Sequence, residues 1–418
     1  MTNDTIHDVG ADRIREIRAI DHNTRDAPDA DFVEQMRLRF PSEAEYDRML
    51  TRKAEHRADP RQAPSTLEEL RIALDAFLDA NVEGSHRVDN MRWLSGGASK
   101  IQVAFSLEWN DPLEGQTTSQ LVLRMEPQES LNATSRTREY EVINALRDHL
   151  PVPRAYWVDD DAEFFPQPTL IYALAYGVSK PRAVEARPSG VGSVFAPELR
   201  AELGPQFVAH LATLHAIRAE DLDLPSFDLP RVGTTDTAIW QLNRTRRVWE
   251  EDRAEELPLW EVAANWLERN APELDRVSVL HGDYRTGNYL FDEDTRQITT
   301  WLDWERGHLG DRHRDLAWAM LPSFGTLAED GETLLVAGLV PYDEFISEYE
   351  RLSGLTVDPV RLRYYRILNT FQLIASTLGT GSRVIRLGKS HQDVLLAWIE
   401  GIVYSLGEEL RTSILEEN

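Results

Sequence analysis

Residues 279–317 read VLHGDYRTGNYLFDEDTRQITTWLDWERGHLGDRHRDLA, and they govern how the rest of the chain is read. Two acidic positions, Asp283 and Asp303, flank Asn288. The apolar run at 278–280 predicts a short strand feeding a polar loop, and 289–292 and 298–302 predict two strands around a turn. A hairpin of that size returns Asp303 to the side of Asn288. Such a set suits phosphoryl transfer from a nucleotide. The migrating group is highly charged and asks mainly to be positioned, so the protein needs a carboxylate to orient the acceptor hydroxyl and oxygen ligands for magnesium. Asp283 fits the first role, Asn288 and Asp303 the second.

Two other readings compete. His281, Asp283, His308 and His313 could ligate a hydrolytic metal, but no histidine pair stands at i, i+4 with a glutamate, and His308 and His313 fall in an Arg-rich polar segment. Asp283 and Asn288 could be turn residues bonding their own backbone. That reading suits either residue alone, not the combination with Asp303 and Glu305. Arg285 follows Asp283 by two positions and Asn288 follows it by five. This order reproduces the Asp, basic residue, Asn spacing of the protein-kinase catalytic loop, and Asp303-Trp304-Glu305 stands where that family has its metal-binding Asp-Phe-Gly. HGDYRTGN followed by LDWE resembles the aminoglycoside phosphotransferase family of small-molecule kinases. The resemblance runs from about Trp93 to Ala317, weakens in the helices beyond and leaves the N-terminal extension uncovered.

The resemblance implies an α+β, protein-kinase-like two-lobe fold, with an antiparallel sheet in a small lobe and a larger, mainly helical lobe. The expected division is 1–64 as a helical or partly disordered extension, 65–173 as the nucleotide-binding lobe and 174–418 as the catalytic and acceptor-binding lobe. It implies ATP- and magnesium-dependent transfer to a hydroxyl of a small molecule, with GTP left open in place of ATP. Asp283 then orients the hydroxyl and accepts its proton, Arg285 stabilises charge on the transferred phosphoryl, and Asn288 and Asp303 hold magnesium. Glu305 supports the site, and Asp315 braces the loop through His281. The competing class is a nucleotide-binding pseudokinase acting as a sensor or scaffold.

Upstream, Ser42-Glu43-Ala44-Glu45 has the form of a capping box for a short helix carrying Tyr46, Met49 and Leu50 and ending before Pro60. This arm is expected to pack on the first lobe or on a partner subunit, the latter giving a homodimer. A second box, Ser65-Thr66-Leu67-Glu68, opens a helix through Leu70, Leu74, Phe77 and Leu78. Residues 93–107 predict strand, glycine turn, strand, and Gly96, Gly97 and Ser99 at the bend could bring backbone amides to phosphate oxygens. The strand 119–125 carries Arg124 where kinases hold a lysine, and Glu139, on a helix capped by Asn132 or Thr134, is its expected partner. Arginine keeps the charge but presents a planar fork, which is the main support for the pseudokinase class. Lys100 is the alternative cation. By resemblance, the strand 168–174 leads into a hinge where backbone groups at Ala173 and Leu174 read the adenine edge.

The chain has no cysteine, so disulfides, a thiolate nucleophile and cysteine-ligated zinc are excluded, which fits a reducing compartment. No apolar run approaches the roughly 20 residues that span a bilayer, and a cytoplasmic location is expected. The net charge of -26 argues against nucleic acid or an anionic membrane as partner. The helix 238–253 is unusual for Trp240, Trp249 and the cluster Arg244, Arg246 and Arg247, its aromatics being expected in the core. Between Pro359 and Gln392 no acidic residue occurs, while Arg361, Arg363, Arg366, Arg383, Arg386 and Lys389 do. Either these pair with acids elsewhere or, with Tyr364 among them, they form a cleft wall for an anionic or amphiphilic acceptor such as a hydroxyacyl thioester, in preference to a polycationic aminoglycoside.

Overall fold

A computed structural model describes residues 22–58, 65–94, 100–127, 129–181, 194–387, 396, 400, 401 and 403–416. The expected glycine turn, with Gly96, Gly97 and Ser99, lies outside the described residues, as does Lys389. Helices α1 (His22–Asp26), α2 (Ala30–Arg39), α3 (Ala44–Ala58) and α4 (Leu67–Asn81) precede strands β1 (Arg87–Trp93), β2 (Ile101–Asp111) and β3 (Gly115–Met125). Helix α5 (Arg136–Ala145) leads into β4 (Ala155–Asp159) and β5 (Thr169–Ala173). The five strands form an antiparallel sheet in the order β1-β2-β3-β5-β4. Leu121, Leu123 and Met125 of β3 pack with Val103, Phe105 and Leu107 of β2 and Leu70, Leu74 and Phe77 of α4 in one core. The period of two along β3 thereby meets the 3.6-residue period of α4.

The larger lobe is mostly helical: α6 (Pro197–Ala216), α7 (Asp236–Asp252) and α8 (Pro258–Arg269), then α9 (His313–Ala319), α10 (Tyr342–Ser353) and α11 (Pro359–Ile374). A π-helical turn, Ala375–Gly381, joins α11 to α12 (Ser382–Leu387), and α13 (Val403–Leu415) closes the described chain. Within this lobe lie β6 (Ser278–Leu280) paired with β9 (His308–Gly310), and β7 (Tyr289–Asp292) paired with β8 (Gln297–Trp301). Trp249, Trp260 and Phe371 stack in succession, as expected of core aromatics.

Three helix starts differ from the sequence reading. The box of α4 is Thr66 with Glu69, one residue later than expected: both pairs satisfy the spacing, but Glu69 N–H reaches Thr66 Oγ1 and Glu69 Oε2 accepts from Thr66 N–H. Ser42 Oγ is buried without a hydrogen-bond partner, and Glu45, the other half of the expected box, pairs with Arg48. Helix α5 is capped by Ser135, since Thr134 Oγ1 is drawn to Glu126 and Asn132 to Glu305.

Helix α3 spans both lobes. Arg48 and Arg52 reach Asp160 beyond β4, Arg138 of α5 grips Glu43, and Arg57 pairs with Asp252 at the end of α7. Tyr46, Met49 and Leu50 are buried beneath it. The arm therefore packs on the first lobe, one of the two places expected for it, and reaches on to the second. No helix among the described residues is long and apolar enough to cross a membrane.

Candidate active site

Strand β6 delivers the chain into the polar loop at His281, and Asp315 at the start of α9 fixes that entry. Its two carboxylate oxygens accept from the amides of His281 (2.7 Å) and Gly282 (2.8 Å). The brace runs through the backbone N–H groups of His281 and Gly282. Gly282 has φ of 77°. A Cβ there would stand 2.4 Å from the Arg306 carbonyl oxygen, so only glycine lets the two segments approach this closely. The His281 ring accepts from the Asp283 amide at Nδ1 (3.2 Å), so Nε2 is the protonated nitrogen and donates to Leu302 O (2.9 Å). Burial pushes its pKa down and keeps it neutral. Behind the loop, Tyr284 stacks on Trp301 and donates to Phe207 O.

The Asp283 carboxylate is held at Oδ1 by Trp318 Nε1 (2.8 Å) and Arg285 Nε (3.0 Å), which leaves Oδ2 for another partner. Asn288 Nδ2 donates to Asp283 O (2.8 Å), leaving its own Oδ1. Leu302 N donates to Asn288 O, and Tyr289 faces Trp301 across the hairpin, so Asp303 returns beside Asn288 as the spacing requires. Asp303 adopts left-handed backbone (φ 66°, ψ 45°), a conformation uncommon for a non-glycine residue and concentrated at functional sites. Arg285 is turned back onto Asp283, with its guanidinium 5.4 Å from the Phe324 ring centre.

Arg124 and Glu139 pair as expected, Nη1 to Oε1 at 2.9 Å. Glu141, two residues on, accepts from Ser226 instead. Arg124 Nη2 also meets Asp303 Oδ1 and, at 2.9 Å, Glu305 Oε2. Burial alone would lower the Arg124 pKa, but Asp303, Glu139 and Glu305 outweigh it and hold it well above the ordinary value. Lys100 Nζ stands 3.3 Å from the same Glu305 oxygen, and Arg136 completes the set against Glu126 and Glu139. Lys100 is therefore a member of this network beside Arg124. Burial would raise the Glu305 carboxyl, yet Lys100, Arg124 and Arg136 hold it far below the carboxylate range.

Two expectations change. The amides of Ala173 and Leu174 already donate to Arg154 O and Gln120 O, both at 2.8 Å, because β5 is still paired on both sides there. They are not donors for an adenine edge. The arginines of the basic stretch after Pro359 are engaged within the chain. Arg361 pairs with Asp311, Arg363 caps the carbonyls of Ser413 and Ile414, and Arg366 pairs with Glu416. Arg383, with no exposed side-chain surface, bridges Glu129 and Asp252, and Tyr364 is buried in the core. The acids these arginines meet are distant in sequence, so the segment only looks unbalanced. His281, His308 and His313 also diverge: His308 Nδ1 donates to Arg306 O and His313 binds Asp311, which gives no common metal point. Trp318 and Arg136 were missed. Trp318 lies three residues after Asp315 on α9, the spacing that shares a helix face, and that was the available signal.

The sequence model of the phosphotransferase enzyme family matches residues 113–355, more than half of the chain. Mouse acyl-CoA dehydrogenase family member 10 is 27% identical over 210 residues, covering 48% of this chain and 18% of that protein. Rat acyl-CoA dehydrogenase family member 11 is 26% identical over 271 residues, covering 59% of this chain and 34% of that protein. The chain thus spans about a third or less of these relatives. Among solved structures, a protein of Ralstonia eutropha JMP134 provisionally assigned as an aminoglycoside phosphotransferase superposes with a TM-score of 0.58 at 20% identity, covering 82% of this chain and 97% of that one. Choline kinase of Streptococcus pneumoniae gives 0.51 at 13%, covering 82% and 99%. These two likenesses agree with the two-lobe kinase-like fold, and the matched residues enclose Arg124, Asp283, Asn288, Asp303 and Asp315. The chain belongs to the phosphotransferase enzyme family.

Proposed function

We propose that this protein transfers the terminal phosphoryl of ATP, with magnesium, to a hydroxyl of a small molecule. The observation that carries this reading is the hairpin that sets Asn288 and Asp303 together beside Asp283, with Arg124 and Glu139 facing them. Asp283 Oδ2 accepts the acceptor's proton while Trp318 and Arg285 keep the carboxylate aimed. Asn288 Oδ1 and Asp303 supply oxygen ligands of the kind a hard cation takes, and magnesium held there would neutralise charge on the phosphates. Arg124 Nε is buried without a hydrogen-bond partner and is a donor for a phosphate oxygen. The amides of Ala175 and Tyr176, past the paired end of β5, take the adenine-facing role. The names of the acyl-CoA dehydrogenase relatives favour a hydroxyacyl thioester as acceptor over an aminoglycoside.

The contact between Arg124 and Asp303 favours one other reading, a nucleotide-binding protein without catalysis, since it ties a metal ligand to a cation. Calorimetric titration with ATP, with and without magnesium, and ADP release across hydroxylated acceptors separate the two. Asp283→Ala should bind ATP normally and lose turnover by about 10³-fold. Asp303→Ala should lose the magnesium dependence of ATP binding. Undiminished turnover in the first variant removes Asp283 from the mechanism, and ATP binding indifferent to magnesium in the wild type removes the metal assignment.

A further inference from the structure

Most buried arginines of the described residues have a carboxylate partner, as Arg57, Arg124, Arg247 and Arg383 do. Arg244, Arg306 and Arg314 form no ion pair among the described residues, although they are only 7%, 8% and 3% exposed. They come from separate elements, α7, the turn after Asp303, and α9. Unpaired charge at that depth costs several kcal/mol, and a chain that keeps it has a counter-charge to receive.

The cluster stands next to the catalytic carboxylate. The Arg306 guanidinium lies 4.5 Å from the ring centre of Trp318, whose indole N–H holds Asp283. Arg306 Nη2 is buried with no hydrogen-bond partner. Asp283 and Glu305 are within electrostatic reach of Arg306, but neither pairs with it. Arg314 donates to Gln372 Oε1 and faces the neutral His308 ring at 3.5 Å. Arg244 stacks on Tyr46 of α3, its guanidinium 3.8 Å from the ring centre. Arg244 and Gln372 then line a small cleft together with Leu50, Asn132, Val248 and Ser376. Burial, followed by the charges of Arg306 and Arg244, pushes Arg314 down to about 10, a mutual repulsion that a bound anion would relieve.

We propose that Arg244, Arg306 and Arg314 seat an acidic group of the acceptor, a carboxylate or a phosphate, while its hydroxyl faces Asp283. The assignment rests on the phosphotransferase reading of Asp283. It makes the acceptor acidic, with an apolar portion against Leu50 and Val248, and it makes the N-terminal arm one wall of the acceptor site through Tyr46 and Leu50. A polycation would meet like charge there. The acidic group has two sources: the carboxylate of a free hydroxy acid, or the phosphates of its coenzyme A thioester.

The test titrates the full chain by calorimetry with succinate and with inorganic phosphate, the nucleotide site being saturated with a non-hydrolysable ATP analogue and magnesium. Binding should weaken at least about tenfold in Arg244→Gln and Arg306→Gln, and Arg244→Lys should recover most of it. Absent binding, or binding equal in wild type and variants, overturns the site. In parallel, ADP release is followed with a short hydroxy acid, its amide and its coenzyme A thioester. A kcat/KM about tenfold above the amide for the acid points to the carboxylate, and the same advantage for the thioester alone points to the phosphates. An amide turned over equally well overturns the proposal. If no compound is phosphorylated while anion binding still follows the arginines, the kinase reading fails and the anion site stands.

Discussion

Asp315 accepts the amides of His281 and Gly282, so its ionisation holds the backbone that aims Asp283. Burial would raise its carboxyl, but the hydrogen bonds from His215 and the His281 amide win and bring the pKa to about 2 from the usual 3.8. His215, neutral through burial, passes the support on by accepting from Tyr349 at Nδ1. A folded-state pKa below the unfolded one gives stability that is complete above about pH 4 and lost as the pH falls towards 2. The shift is worth about 2 kcal/mol. Asp315→Asn should therefore be less stable than wild type at neutral pH, with the difference narrowing by about 2 kcal/mol between pH 5 and pH 2 in urea titrations. A difference that stays constant over that range would show that the charge of Asp315 is not what supports the loop. The residues of this loop were legible in the sequence because polar side chains stand at fixed offsets from Asp283. Trp318 and Arg306 were not, because an indole that holds a carboxylate and a core indole look alike in one dimension, and a buried unpaired arginine shows itself only when its neighbours are known.

At the scale of elements, the strands and most helices followed from their periodicity, as the burial of Leu70, Leu74, Phe77 and Leu78 on one face of α4 illustrates. The helix of the N-terminal arm was legible too, from Tyr46, Met49 and Leu50, but its reach to the second lobe was not, because α3 is held there by ion pairs to partners far along the chain. Asp160 is the joint. It accepts Arg48 and Arg52 from α3, and its other oxygen accepts the amide of Arg136 at the first turn of α5 at 2.7 Å. Burial would raise its carboxyl, and Arg52, Arg48 and the Arg136 amide together hold it down instead. Asp160→Ala removes the arm's grip and a helix N-terminal acceptor at once, and should destabilise by about 3 kcal/mol. Arg48 and Arg52 keep a path to water, so the loss should stay short of that for a fully enclosed pair. Chemical denaturation measures it, and a loss under 1 kcal/mol would mean that the apolar contacts of Tyr46, Met49 and Leu50 hold the arm unaided.

For the whole molecule the decisive quantity is the distribution of charge. The chain carries 45 Lys and Arg against 71 Asp and Glu. Many of its cations lie inside, in clusters such as Arg57 and Arg383 on Asp252, or Lys100, Arg124 and Arg136 on Glu305. Because these buried cations sit against buried acids, the net charge of -26 falls largely on the exterior, where like charges repel one another. Salt acts on the two populations differently. Raising it from 10 mM to 100 mM shortens the screening length from roughly 30 Å to roughly 10 Å, which weakens surface repulsion and leaves buried pairs nearly untouched. Exposed pairs such as Arg351 with Glu348 also weaken, but each is worth at most about 1 kcal/mol. The balance predicts that the melting temperature rises by a few degrees over that interval with sodium chloride, at pH 7 and without ligand. A fall would show that surface ion pairs outweigh the repulsion. The same rise should appear in Arg244→Gln, because the cluster beside Asp283 is shielded from bulk salt and takes its counter-charge from a ligand.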